Sequence, residues 1–458
     1  MTRTLAWFAE ACGGELVGAA GHGEYRGVST DTRTIQRGEL FVALRGPRFN
    51  ANEFVGAAES AGAAGAVVDD AVPRSLPQIR VRDTLAALQA TSAAWRSRFA
   101  LPVIGVAGSN GKTTCKEMTA AILSRAGATL HTRGSLNNHI GVPLTLHRLE
   151  PSDRFAVIEI GTNHPGEVEA LCKLARPTIG LITNAGAEHL EGFGTVEGAA
   201  RAEGEMIAGL ATDQVAVINA DDEFASLWRG MTRARVVTFG ITRPADHTAT
   251  DIRTRIDADG FVTHFNLVSP QGTEAIELRL GGRHNVMNAL CAAAAALAAG
   301  ATLAHVREGL ATMRPVPGRL QFKTALSGAW IVDDSYNANP SSMKAGIEVL
   351  QGVDARRWMV MGDMGELGDS AESSHDEIGR FAREHGVDRL FATGKLAARA
   401  VEAFGAGAQW FADTEALARA VHAELTSEVC VLVKGSRSNR LERVVDALTG
   451  GTGSHGTH

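Results

Sequence analysis

An α/β protein of three domains, its central parallel-sheet unit built around a phosphate loop, is what this sequence of 458 residues predicts. Three observations lead there. From about residue 101 onward, short β-branched runs alternate with helix-length segments, the rhythm of strands joined by crossover helices. One of those runs leads directly into a glycine-rich turn that carries Lys112. The rhythm breaks at Met313 to Arg319, where two prolines and a glycine cannot continue a helix, and then starts again.

Taken in order, residues 1–100 read as a separate smaller unit, closed by a helical segment from Thr84 to Phe99 and by Pro102. The central unit, 101–314, offers four candidate buried strands, Val103 to Val106, Ala156 to Ile158, Ile179 to Ile182 and Val215 to Ile218. Each ends near polar or glycine residues, where open α/β sheets bind ligands. Between about Asp251 and Leu280 an alternating pattern predicts an antiparallel insertion or edge. The run from Val286 to Ala304 is apolar, but alanine dominates it and Asn288 and Gly300 interrupt it, so it reads as a buried helix and not a membrane span. Beyond the linker, 315–450 reads as a second α/β domain of Rossmann-like type, with strands at Trp330 to Asp333, Trp358 to Met361, Arg389 to Ala392 and Val429 to Val433. Residues 451–458 have almost no apolar content and read as a disordered tail.

The net charge of -6 argues against a broad nucleic-acid-binding face, which needs clustered excess Lys and Arg. The five cysteines are far apart, without a C-x-x-C pair, so neither a disulfide framework nor a zinc site is expected. The opening residues MTRTLAWFAE lack the apolar core of a secretory signal, which makes the cytoplasm the expected compartment.

The strongest local signal is the strand, turn and helix around Gly108-Ser109-Asn110-Gly111-Lys112-Thr113-Thr114. Successive backbone N–H groups of such a loop can wrap a phosphate, Lys112 can neutralise it, and the Thr113 hydroxyl can ligate magnesium. The spacing departs from the standard pattern, because Val106 stands where the first glycine would be. The competing reading is a glycine turn with a solvated lysine. Glu159 follows a buried run and should face the loop from a strand end, either as a magnesium ligand or as a cap on the next helix. His284, Asn285 and Asn288 open a helix, where they read an adenine edge or cap the helix. Arg319 and Asp334 follow the linker and would complete the nucleotide site when the domains close, whereas Lys434 and Arg437 also read as solvated cations.

The loop Gly108 to Thr114 resembles the phosphate loop of the Mur ligase superfamily, and further motifs follow in that family's order. They are Asn137 to Pro143, Glu159 to Gly161, Thr183-Asn184 with Glu188 to Leu190, Gly282 to Asn288, Gly318-Arg319, Asp333 to Pro340, Gly362 to Gly368 and Lys434 to Arg437. The resemblance covers nearly the whole chain. It implies an enzyme using ATP and Mg2+ that converts a peptide carboxylate to an acyl phosphate, which an amine then attacks. The substrates it implies are UDP-N-acetylmuramoyl-tripeptide, D-alanyl-D-alanine and ATP, with no nucleic acid, no stable membrane insertion and a monomeric state. His189, which alone reads as a satisfied surface histidine, becomes on this resemblance a ligand of a second magnesium. Glu203 falls where relatives carry a lysine carbamylated by carbon dioxide, and is expected to supply that negative charge directly. Without the resemblance, Glu203 reads as part of a solvated helix face beside Glu205. Ser29-Thr30-Asp31-Thr32-Arg33 looks like the family's uridine-nucleotide segment, with hydroxyls and an arginine suited to a diphosphate. A second stretch departs from the family, with Asn50-Ala51-Asn52-Glu53 in place of Asp-Gly-His-Asp. Two alternatives stay open: another amino-acid ligase of the superfamily, and a noncatalytic nucleotide-binding regulator.

Overall fold

In the computed structural model, residues 3–17, 23–46, 49–257 and 259–451 are described, so all but the first residue of the expected tail lies outside the described residues. Three α/β units follow one another along the chain, each with its own sheet.

The central sheet is wholly parallel, in the order Arg235–Phe239, Val215–Asn219, Ile179–Ile182, Val103–Ala107, Phe155–Glu159, Thr129–His131. All four expected strands are present, and Thr129–His131 and Arg235–Phe239 complete the edges. Chain order reverses on the two sides of Val103–Ala107, which puts a crevice beyond the carboxyl ends of its neighbours, where such sheets take ligands. Alternate residues of one strand feed two cores. Ile104 and Val106 pack under the helices Lys112–Ala126 and Arg283–Ala298, while Val103 and Ala107 face Trp228, Met206 and Leu171. Both faces of this parallel sheet are covered, which is why the strand reads in sequence as a continuous apolar run.

The Ala-rich run is two helices and not one. Arg283–Ala298 stops before Gly300, whose φ of 98° favours glycine, and Leu303–Ala311 starts from a Thr302 cap that accepts the His305 N–H. Leu303–Ala311 then crosses Lys112–Ala126 at Gly309, where a Cβ would lie 2.5 Å from Ile122 Cα. The expected insertion is a three-stranded antiparallel sheet, Thr248–Asp257, Gly260–Ser269 and Gly272–Leu278. Its Phe265, Leu267 and Ile276 join the central core, while Phe261 belongs to the C-terminal core and meets Phe322 with ring centroids 5.8 Å apart.

The N-terminal unit holds a five-stranded sheet, Glu15–Val17, Gln78–Arg80, Gly65–Val68, Leu40–Val42 and Val28–Ser29. The helix Thr84–Arg96 packs on this unit and also on the central one, joining the two. Its Leu88 packs in the N-terminal core, but Trp95 belongs to the central core and donates through Nε1 to Leu149 O at 3.0 Å. Beside it the buried His147 stacks on Phe8 and shares a 3.2 Å hydrogen bond with Thr91, and burial drives its pKa down to about 3.

In the C-terminal unit the order is Gln321–Thr324, Trp330–Asp334, Val429–Lys434, Arg356–Met361, Arg389–Thr393, Ala408–Phe411, with only the first pair antiparallel. Among the described residues no helix is long and apolar enough to cross a membrane.

Candidate active site

A cleft of about 870 Å³ lies between the central and C-terminal units. It is lined from the central unit by Ser109 to Thr114, Glu159, His189, His284, Asn285 and Asn288, and from the C-terminal unit by Arg319 and Asp334. These residues are spread over more than two hundred positions of sequence and converge because most lie at a strand's carboxyl end, in the loop that follows it, or in the first turns of a helix. Gly108 and Glu203 lie just behind the lining, and Ser29 to Arg33 are in the N-terminal unit and do not line the cleft. There Arg33 forms a bidentate pair with Asp31, and the Ser29 hydroxyl accepts the Asp31 N–H at 3.2 Å.

The loop departs from expectation in which amides it offers. The N–H of Gly108 donates to Glu203 Oε2 at 2.6 Å, that of Ser109 to Asn184 O at 2.8 Å, and that of Asn110 to Asn184 Oδ1 at 2.9 Å. These three amides serve the loop's own shape. The N–H groups of Gly111, Lys112, Thr113 and Thr114, at the start of helix Lys112–Ala126, have no protein acceptor among the described residues. A helix start with free amides and a partial positive charge is the anion seat here. Gly111 has φ 82°, and a Cβ on it would collide with Asn288 Oδ1, so both the turn and the close approach require glycine.

Lys112 folds back over this loop, donating to Gly108 O at 2.5 Å and Ser109 O at 3.2 Å, with Glu188 Oε1 at 3.3 Å. Burial opposes its charge, but Glu188, Glu203 and Glu159 outweigh that and hold its pKa above the ordinary lysine value. The same burial pushes Glu188 up to about 7 and raises Glu203. With Lys116 beside Glu159, two lysines face three carboxylates, which leaves the site with an excess of negative charge. The Glu203 reading as a solvated face is overturned, since that residue is 1 % exposed, while Glu205 caps Gly166 and Glu169.

Glu159 closes the strand Phe155–Glu159 and caps no helix. Its Oε1 accepts from Thr113 Oγ1 at 3.2 Å and Asn137 Nδ2 at 2.9 Å, and its buried Oε2 has no hydrogen-bond partner. Lys116 Nζ, at 3.6 Å from Oε2, is an ion-pair neighbour that sequence reasoning missed. The signal was available, because Lys116 lies one helical turn beyond Lys112 on the same face. His189 sits at φ 49° before a short helix and pairs through Nδ1 with Glu366, whose backbone O accepts the Leu190 N–H at 3.0 Å. Glu366 lies in the Gly362 to Gly368 motif, but its pairing with His189 was not read, for it comes from the other domain and only the fold brings it near.

Neither asparagine of helix Arg283–Ala298 caps it. Asn285 Nδ2 donates to Gly281 O at 2.7 Å, and Asn288 Nδ2 donates to Asn285 Oδ1 at 3.2 Å. His284 is held neutral, its pKa lowered to about 4 by burial and by Lys434. Lys434 is no solvated cation: it is 3 % exposed and bonds Asp334 Oδ2 at 2.5 Å and Asn337 O at 2.9 Å. Arg319 reaches across the cleft to Thr113 Oγ1 at 3.2 Å, its guanidinium over the Tyr336 ring. The Arg437 guanidinium lies 5.9 Å from the centroid of the same ring.

A helix-start anion seat at the switch point of a parallel sheet, covered by a second α/β domain that adds an arginine, defines a nucleotide-dependent transfer enzyme built from two closing halves. Two family models, described as the Mur ligase middle domain and the Mur ligase glutamate ligase domain, match residues 106–296 and 318–437. The chain belongs to the Mur ligase family, whose members are ATP-dependent ligases forming C–N bonds. It is 42% identical to the UDP-N-acetylmuramoyl-tripeptide--D-alanyl-D-alanine ligase of Escherichia coli K12, over 97% of this chain and 98% of that one. To the ligase of the same name from Bacillus subtilis it is 35% identical, over 92% and 93% of the two chains. A crystal structure of MurF from Acinetobacter baumannii superimposes with a TM-score of 0.90 at 34% identity, covering 98% and 99% of the chains. MurF from Thermotoga maritima, solved in complex with ADP, gives 0.82 at 25% identity over 93% and 97%.

Proposed function

We propose that this chain joins D-alanyl-D-alanine to UDP-N-acetylmuramoyl-tripeptide at the expense of ATP, giving the pentapeptide precursor of peptidoglycan, ADP and phosphate. The single observation that supports it most is full-length similarity to ligases of that name, combined with a cleft lined by the expected nucleotide-site residues other than Gly108. The working division is 1–100 for the UDP end of the precursor through Ser29 to Arg33, 101–314 for ATP, and 315–450 for closing the site; the compartment is the cytoplasm.

In this reading the free amides of Gly111 to Thr114 and Lys112 seat the ATP phosphates, and His284, Asn285 and Asn288 face the base. Arg319 adds positive charge from the second domain as the phosphoryl group moves to the tripeptide carboxylate. The residues suit Mg2+: Thr113 Oγ1, Glu159 Oε2, which accepts no hydrogen bond, and the buried carboxylate of Glu203 are hard oxygen donors in a site with an excess of negative charge. Thr113 and Glu159 would hold one ion, His189 a second, with Glu203 behind it. Bound there, magnesium would offset charge on the transferring phosphoryl group. The closed cleft keeps water from the acyl phosphate until the amine arrives.

The test is incubation of purified protein with ATP, the UDP-linked tripeptide and a panel of amines. The dipeptide should support ADP release and pentapeptide formation. Preference for a single amino acid overturns the reading in favour of another family ligase, and no substrate-stimulated ADP release favours a regulator.

A further inference from the structure

Every polar group of Asn110 is engaged, and the two ends of the residue belong to different domains. Its backbone is held by the central unit, the N–H donating to Asn184 Oδ1 at 2.9 Å and the C=O accepting from Thr183 Oγ1 at 2.7 Å and Asn184 Nδ2 at 3.0 Å. Its side chain is held by the C-terminal unit, where Nδ2 donates to Ser341 Oγ at 3.0 Å and Oδ1 accepts from Asn339 Nδ2 at 2.8 Å. Ser341 Oγ in turn donates to Asn339 Oδ1 at 3.0 Å, which closes a three-residue ring. Asn339 is also the N-cap of helix Pro340–Gln351, its Oδ1 accepting the Ser342 N–H at 2.9 Å. The residue that sets the first turn of that helix therefore also contacts the phosphate loop.

We propose that Asn110 is a positioning residue that couples the phosphate loop to closure of the C-terminal domain, and not a phosphate ligand. The inference rests on the ATP-dependent reading above and deepens it. A loop shaped by a seated nucleotide presents the Asn110 amide to Asn339 and Ser341, and docking there brings Arg319 to Thr113. An amide is required by the bonding count. Ser341 gives its hydrogen to Asn339 and only accepts from Asn110, whereas Asn339 Nδ2 only donates. Aspartate meets the second demand and fails the first; alanine fails both. Because Asn184 and Thr183 hold the backbone, deleting the side chain leaves the anion seat in place.

The experiment uses the full chain and the variants Asn110→Ala, Ser341→Ala and the double variant. It reads kcat and KM for ATP in the ligation assay, and the Kd for ADP without co-substrates. Each single variant should lose about 10- to 100-fold in kcat while Kd for ADP stays within about threefold, and the double should lose no more than either single. A kcat within about twofold of wild type overturns the proposal. So does a Kd that rises in step with the loss of kcat, or multiplying losses in the double variant. If the wild type proves not to ligate the dipeptide, compaction on adding ADP, read by small-angle scattering, replaces kcat. Wild type should then compact and Asn110→Ala should not; equal compaction of the two overturns the coupling whatever the reaction is.

Discussion

Lys112 sits among more negative charge than it can neutralise, and two predictions follow from that one imbalance. Lys112→Ala should lower ligation on the order of a thousandfold, because the lysine's work is done on a transferring phosphoryl group. The fold should survive, since the carboxylates left behind take up protons, Glu188 being already pushed to about 7 by burial. Steady-state rates and thermal unfolding of the same preparation check both halves; activity within tenfold of wild type contradicts the phosphate role. Glu203 carries the second. Alanine there would strand the Gly108 N–H, so the informative change is Glu203→Gln, which keeps an acceptor for that amide and removes only the charge. Turnover at limiting magnesium should fall with little change in unfolding temperature. Wild-type activity should be indifferent to added bicarbonate, and Glu203→Lys should acquire a dependence on it. A bicarbonate requirement in the wild type would sink the idea.

The helices that position these residues differ in how far their packing can be read from sequence. Lys112–Ala126 is announced by the glycine turn before it, and the strand Phe155–Glu159 by its apolar run, so the placement of Glu159 was legible. The crossing at Gly309 was not, because periodicity identifies an apolar face but not the neighbour that presses on it. Backbone meets backbone there, and Gly309→Ala should cost roughly 1–3 kcal/mol by forcing the helices apart. A lower urea midpoint at unchanged slope is the expected result. That the helix Thr84–Arg96 also packs on the central unit was not legible for a related reason: a helix with two apolar faces looks the same whether both belong to one core or to two. Beside it, His147 stays neutral in the fold down to about pH 3, whereas unfolded it binds a proton below about 6.5. Its folded pKa is depressed, so stability present above pH 6.5 is lost as pH falls, by about 3 kcal/mol at pH 4. His147→Phe should therefore gain unfolding temperature relative to wild type as pH drops from 6.5 to 4. A constant difference would contradict the burial argument.

At the scale of the molecule, the cleft faces meet through Asn110 with Asn339 and Ser341, Arg319 with Thr113, and His189 with Glu366. Family motifs placed most of the central partners, but Glu366, Asn339 and Ser341 acquire their roles only when the second domain arrives, which no local pattern encodes. These contacts are few and polar, as expected of an interface that opens and closes. An ATP analogue with the UDP-linked precursor should shift the solution scattering toward the more compact form, and identical profiles with and without ligand would count against a closing cleft. The Phe261–Phe322 contact is of another kind, two edge-on rings shared between the antiparallel sheet and the C-terminal core. Apolar packing is less directional than a hydrogen bond, so it tolerates small rotations that a hydrogen bond does not. A rotation that keeps this contact while the three polar pairs part would pivot near Phe261 and Phe322, so the two domains would stay joined on one side of the cleft while the other side opens.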